Sequence, residues 1–104
     1  MERKLNPLEV YGRLCGSLLH KIRGCVRMIT MEIDDDHSKI ELFCYLDQDP
    51  EAIDYELMED ALVFFCAVDN FLMTKYNITI ELSSKTLMEL SASRDVLYAR
   101  YEQD

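Results

Sequence analysis

The sequence is poor in glycine, with three residues at Gly12, Gly16 and Gly24. Loops that cradle phosphate need glycine where the backbone closes on the anion, and no G-x-G-x-x-G or P-loop spacing occurs. H-E-x-x-H is missing too, and neither of the two histidines, His20 and His37, has a nucleophile in a local pattern. No apolar run nears the roughly 20 residues that a membrane-spanning helix needs. Met1-Glu2-Arg3-Lys4 gives way to Asn6, Pro7 and Glu9 before a signal-peptide core forms, so a cytoplasmic protein is expected. The four cysteines, Cys15, Cys25, Cys44 and Cys66, form no C-x-x-C pair and lie among apolar neighbours. They read as buried thiols in a reducing compartment, with two disulfides in an extracellular protein as the alternative.

Basic residues are also scarce. Eleven face twenty acids, for a formal net charge of −9. A field of that sign opposes association with nucleic acid and anionic lipid, and it steers a basic partner inward. The small basic excess between Arg13 and Arg27 does not offset it, which disfavours nucleic-acid binding. With 104 residues, 49% of them hydrophobic, the chain suits one soluble domain over residues 1–104 and no second core.

Asn6-Pro7-Leu8-Glu9 reads as a helix start, with Asn at the N-cap, Pro at the first helical position and an acid in the first turn. Leu8, Tyr11, Leu14, Cys15, Leu18, Leu19 and Ile22 recur at helical spacing as one buried stripe, and Gly24 is the expected stop. Gly12 and Gly16 would let this helix pack closely on a sheet. Residues 25–33 and 39–47 read as strands joined by the turn Asp34-Asp35-Asp36-His37-Ser38. On the second strand Ile40, Leu42, Cys44 and Leu46 share one face, opposite Glu41, Phe43 and Tyr45. Asp49-Pro50-Glu51 opens a second helix with Ile53, Leu57, Ala61, Leu62, Phe65 and Val68 inside and Asp54, Glu56, Glu59 and Asp60 outside. It should end at Asp69-Asn70. Residues 71–82 read as a third strand, with Leu72, Tyr76 and Ile78 among its apolar positions. Residues 86–90 read as a helical turn, and residues 96–101 as a closing strand rather than a helix. The expected fold is an α+β two-layer sandwich, α-β-β-α-β with that short ending, on a mainly antiparallel sheet.

Few groupings suggest chemistry. Asp34-Asp35-Asp36-His37 is the strongest metal candidate, but it matches no EF-hand loop and its side chains diverge around a turn. A solvated turn is expected instead, and no metal or cofactor. A cysteine–histidine pair assembled across the fold is the enzyme reading, but every cysteine reads as buried, so no catalytic residue is assigned. Phe64, Phe65, Phe71 and Tyr76 are expected in the core rather than as stacking platforms.

What stands out is an acidic band. Asp47, Asp49, Glu51, Asp54, Glu56, Glu59 and Asp60 put seven acids in fourteen residues with no base among them. Like charges at helical spacing destabilise a helix by a few tenths of a kcal/mol, so a one-sign face suggests a cationic partner. The plainer alternative is a solvated face. Tyr55, in the middle, is an aromatic anchor of the kind that interface centres favour.

Leu18-Leu19-His20-Lys21-Ile22-Arg23-Gly24-Cys25-Val26, Tyr45-Leu46-Asp47, Asp54-Tyr55-Glu56 and Tyr98-Ala99-Arg100-Tyr101-Glu102 carry a likeness that spans nearly the whole chain. With its acidity, length and element order, the chain resembles the cytosolic immunity proteins that neutralise bacterial polymorphic toxins, including those of contact-dependent growth inhibition systems. The resemblance implies tight binding to a toxin, often a basic nuclease domain, blocking its active site or substrate path. The second helix, with Asp54, Tyr55, Glu56, Glu59 and Asp60, is the expected main contact. The turn Asp34-Asp35-Asp36 is the expected secondary edge. A monomer is expected. The runner-up is an acidic secretion chaperone of the type III kind, a dimer that wraps an effector segment.

Overall fold

The computed structural model describes residues 5–68, 75–91 and 94–102. Helix α1 spans Pro7–Ser17, and its start follows the expected chemistry: the Asn6 side chain accepts the Leu8 and Glu9 N–H groups at 3.0 and 3.3 Å. Its end does not. The helix stops at Ser17, well before Gly24, and the chain reverses through His20 at a φ of 68°. The Lys21 N–H closes this turn on the Leu18 carbonyl at 2.9 Å. Histidine enters the left-handed region at modest strain, so no glycine is required there. Within the helix the buried side runs through Val10, Leu14 and Ser17, a different phase from the expected stripe. Val10, Leu14 and Leu18 are buried, whereas Leu8, Tyr11 and Leu19 are exposed. Close packing through glycine is not used either, since a methyl group on Gly12 or Gly16 would meet nothing within 4 Å.

Strands β1 (Val26–Ile33) and β2 (Lys39–Leu46) form the expected antiparallel hairpin. Its turn is organised by Asp34, whose carboxylate accepts the Ser38 and Lys39 N–H groups at 2.8 and 3.0 Å and the Ser38 hydroxyl at 3.2 Å. Those donors favour the charged form, and the Ser38 N–H does most to hold the Asp34 pKa below the usual carboxylate value. His37 takes the left-handed conformation and ties down the segment before α1: its carbonyl accepts the Leu5 N–H at 2.7 Å.

Helix α2 (Ala52–Val68) crosses over the sheet and leads to β3 (Lys75–Leu82), which lies parallel to β2. Parallel neighbours need such a crossover. Residues 69–74, which cover the expected helix end at Asp69-Asn70 and the apolar positions Phe71 and Leu72, lie outside the described residues. Helix α3 (Leu87–Ser91) and β4 (Asp95–Ala99) follow, and β4 pairs antiparallel with β1. The sheet order is therefore β3-β2-β1-β4, antiparallel at two of its three pairings. The fold is α+β, as expected.

One face of the sheet carries the main core. Leu14 and Leu18 from the first helical region, Ile29, Met31, Ile40, Leu42 and Leu46 from the sheet, and Met58, Leu62 and Phe65 from α2 pack together. Each such side chain contributes about 1.5–3 kcal/mol by leaving water. The other face is covered only in part: Leu90 of α3 packs with Met28 and Tyr45, flanked by Phe43, Leu87 and Val96. Arg94 extends this cover, with its guanidinium carbon 3.7 Å from the Phe43 ring centre and a hydrogen bond of 2.7 Å donated to the Tyr45 hydroxyl.

Candidate functional site

The acidic band begins where β2 ends, and the fold divides it. Helix α2 starts at Ala52, so Asp49 and Pro50 precede it instead of capping it. The capping work falls to Asp54, whose carboxylate reaches back to accept the Glu51 N–H at 2.8 Å. That is the reciprocal half of a capping box, with aspartate in the place of the usual glutamate. The same carboxylate accepts Arg23 Nη1 at 2.9 Å, and Asp54 is only 3% exposed. An expected contact residue on the outer face is thus an internal one. The reason is phase: Asp54, Met58, Ala61 and Phe65 share the side of α2 that meets the sheet, and Ile53 turns outward. A carboxylate on that side is tolerated because Arg23 and a backbone N–H satisfy it.

Two further acids meet arginines brought from elsewhere in the chain. Asp47 accepts Arg100 Nη1 at 2.7 Å, and Glu51 lies 3.8 Å from Arg23 Nη2. The band has no base along the sequence, yet in space Arg23 and Arg100 border its first half. Asp49, Glu56, Glu59 and Asp60 are exposed and form no ion pair among the described residues. Glu59 lies close enough to Tyr76 of β3 that, after burial, its charge helps push that phenol above its ordinary pKa. Tyr55 is exposed beside them.

The turn Asp34-Asp35-Asp36 is not brought to this site. It sits at the far end of the β1–β2 hairpin from Asp47, separated by roughly 25 Å of strand. Asp34 is committed to the turn, and Asp35 and Asp36 are exposed at its tip.

The second half of α2 differs from expectation in the other direction. Phe64, expected in the core, is 57% exposed, and Val63 is 51% exposed. Across from them Leu19, turned outward by the reversal at His20, is 67% exposed. These side chains line a groove of about 670 Å³, whose walls also carry Gly16, His20, Lys21, Asp60 and Ala67. A signal for it exists in the sequence. From Ala61 to Val68 the helix is apolar on every side, more than one buried stripe can use.

The thiols are poorly placed for chemistry at this face. Burial is the leading cause that raises the pKa of each, and it pushes Cys44 up to about 12. Among the described residues no group of three or more His, Cys, Asp or Glu could hold a metal ion. No described helix is long and apolar enough to cross a membrane.

A surface of acids without an ion pair among the described residues, beside exposed apolar side chains, is suited to holding another protein. The comparison with known families agrees: the model described as MafI2 immunity protein matches residues 8–102. The chain belongs to the MafI2 immunity protein family. The match runs from the first turn of α1 past β4 to Glu102, so it takes in every described element. It bears out the resemblance to immunity proteins drawn from the sequence. No curated protein matches the chain.

Proposed function

We propose that this MafI2-family protein neutralises its toxin by binding a cationic surface of the toxin domain on the outer face of α2. The observation that carries this is the clustering of Glu56, Glu59 and Asp60 within one arc of the exposed helix surface, with no ion pair among the described residues. Glu56 stands three and four residues from the other two, so the helix bears like-charge repulsion of a few tenths of a kcal/mol. A surface held in that state gains when a cationic partner arrives. The formal charge of −9 adds long-range attraction, which speeds encounter by roughly 10- to 1000-fold.

A basic nuclease domain is the toxin class that fits best. Carboxylates on a helix can occupy the groove where such an enzyme holds phosphates, blocking substrate without any reaction by the immunity protein. The role is thus one of binding, inside the cell where the toxin acts. The test is stopped-flow association with a toxin domain whose growth arrest is relieved by co-expressing this chain. Reversing Glu56, Glu59 and Asp60 to lysine should slow association and flatten its salt dependence. Association unchanged by the triple reversal would remove this face from the interface. If the toxin domain is a nuclease, adding the parent chain should abolish its cleavage of nucleic acid.

A further inference from the structure

The acids explain attraction but supply no anchor. Exposed carboxylates at a rim set the rate of encounter, whereas lifetimes come from apolar and aromatic side chains buried at the centre. We infer that the groove between the α1 reversal and the second half of α2 is the anchor of the toxin contact. It takes a toxin segment that inserts an apolar side chain flanked by lysine or arginine. This rests on the proposal above that the toxin docks on α2.

The groove has the required composition. Leu19 forms one wall, Val63 and Phe64 the other, and all three are exposed without a described neighbour to cover them. Asp60 belongs both to the groove wall and to the acidic cluster, so the two surfaces are continuous. An occupant must therefore match apolar surface and negative charge within about one helical turn. That argues against a second copy of this chain. Helix α2 contains no lysine or arginine, so a symmetric contact along it would set Glu56, Glu59 and Asp60 against their own copies. In the groove lining only His20 and Lys21 could offset them. A cationic toxin faces no such opposition.

The test uses the same toxin domain, with the variants Phe64→Ser and Leu19→Ser from opposite walls and Glu59→Lys from the acidic cluster. Both serine variants change exposed side chains, so thermal melts by circular dichroism should match the parent. Each should associate at the parent rate and dissociate at least about 30-fold faster, the mark of an interface hot spot. Glu59→Lys should chiefly slow association. Parent-like dissociation of both serine variants, with Glu59→Lys still slow to associate, would overturn the groove while leaving the acidic face as the toxin site. A parent chain that does not bind the toxin domain at all would overturn both readings. Sedimentation velocity covers the remaining occupant: a concentration-dependent dimer abolished by Phe64→Ser would assign the groove to a second copy.

Discussion

Arg27 and Glu102 lie 75 residues apart and meet in a two-pronged ion pair, Nε to Oε2 at 2.8 Å and Nη2 to Oε1 at 2.7 Å. The third prong, Nη1, donates to the carbonyls of Ser83 and Lys85 at 2.8 and 2.6 Å. One nearly buried guanidinium thus fastens the segment after β4 and the loop after β3 to β1. Removing it strands two carbonyls and leaves the Glu102 carboxylate with Arg100 alone. Arg27→Ala should lower unfolding free energy by about 3 kcal/mol, read from urea denaturation. A variant as stable as the parent would show that the clamp is dispensable.

The same pair predicts an acid-limb signature. Arg27 first, and Arg100 second, hold the Glu102 pKa down from the ordinary 4.5 to about 2. A carboxyl with a lower pKa folded than unfolded stabilises the fold above its unfolded value. That contribution fades as pH falls from 4.5 through 2. Glu102→Gln should therefore be less stable than the parent at neutral pH and lose less stability on acidification. The two curves should converge near pH 2. Parallel curves over that range would show that Glu102 is not the titrating group.

Asp54 separates folding from recognition. It satisfies Arg23 and the Glu51 N–H from a buried position, so Asp54→Ala should destabilise by roughly 2–3 kcal/mol. Folded Asp54→Ala should nonetheless associate with the toxin domain at close to the parent rate. Parent-like stability with slowed association would place this carboxylate in the interface instead.

How much of this was legible follows from what kind of pattern carries it. The Asn6-Pro7 start, the alternation of Ile40, Leu42, Cys44 and Leu46, and the closing strand depend on local chemistry, and sequence and structure agree on them. Helical phase was harder, because one residue of error rotates a side chain by about 100°. Ile53 and Asp54 were exchanged for that reason. Ion pairs were harder still, since Arg23 meets Asp54 and Arg100 meets Asp47 only through the fold. The reversal at His20 offered no glycine to mark it, and without it Leu19 looks like core.

Those long-range pairs sort the acids by their effect on encounter. Asp47 is answered by Arg100 at 2.7 Å, whereas Glu59 has no cation among the described residues. Glu59→Gln, which removes one negative charge as Asp47→Asn does, should slow toxin association about two-fold or more at low salt, with the deficit shrinking as salt screens it. Asp47→Asn should change association little, because it also leaves Arg100 its bonds to the Gly24 carbonyl and Glu102. Equal deficits for the two variants would mean that bulk charge, not the α2 face, governs encounter.

The cysteines give a check on the enzyme reading that needs no toxin. A nucleophilic thiol reacts as thiolate, so it works near neutral pH only if its pKa is lowered. Here burial raises the pKa of all four, and Cys44 is pushed to about 12. For Cys25 the nearby Asp54 charge raises the pKa further, with Arg23 only partly opposing it. An aromatic disulfide reagent at pH 7.5 should therefore label the native chain slowly, with Cys44 and Cys66 the most protected. All four should react at once in 6 M guanidinium, a condition chosen to unfold the chain fully. One thiol that reacts in the native chain faster than in the unfolded one would instead reveal an activated cysteine.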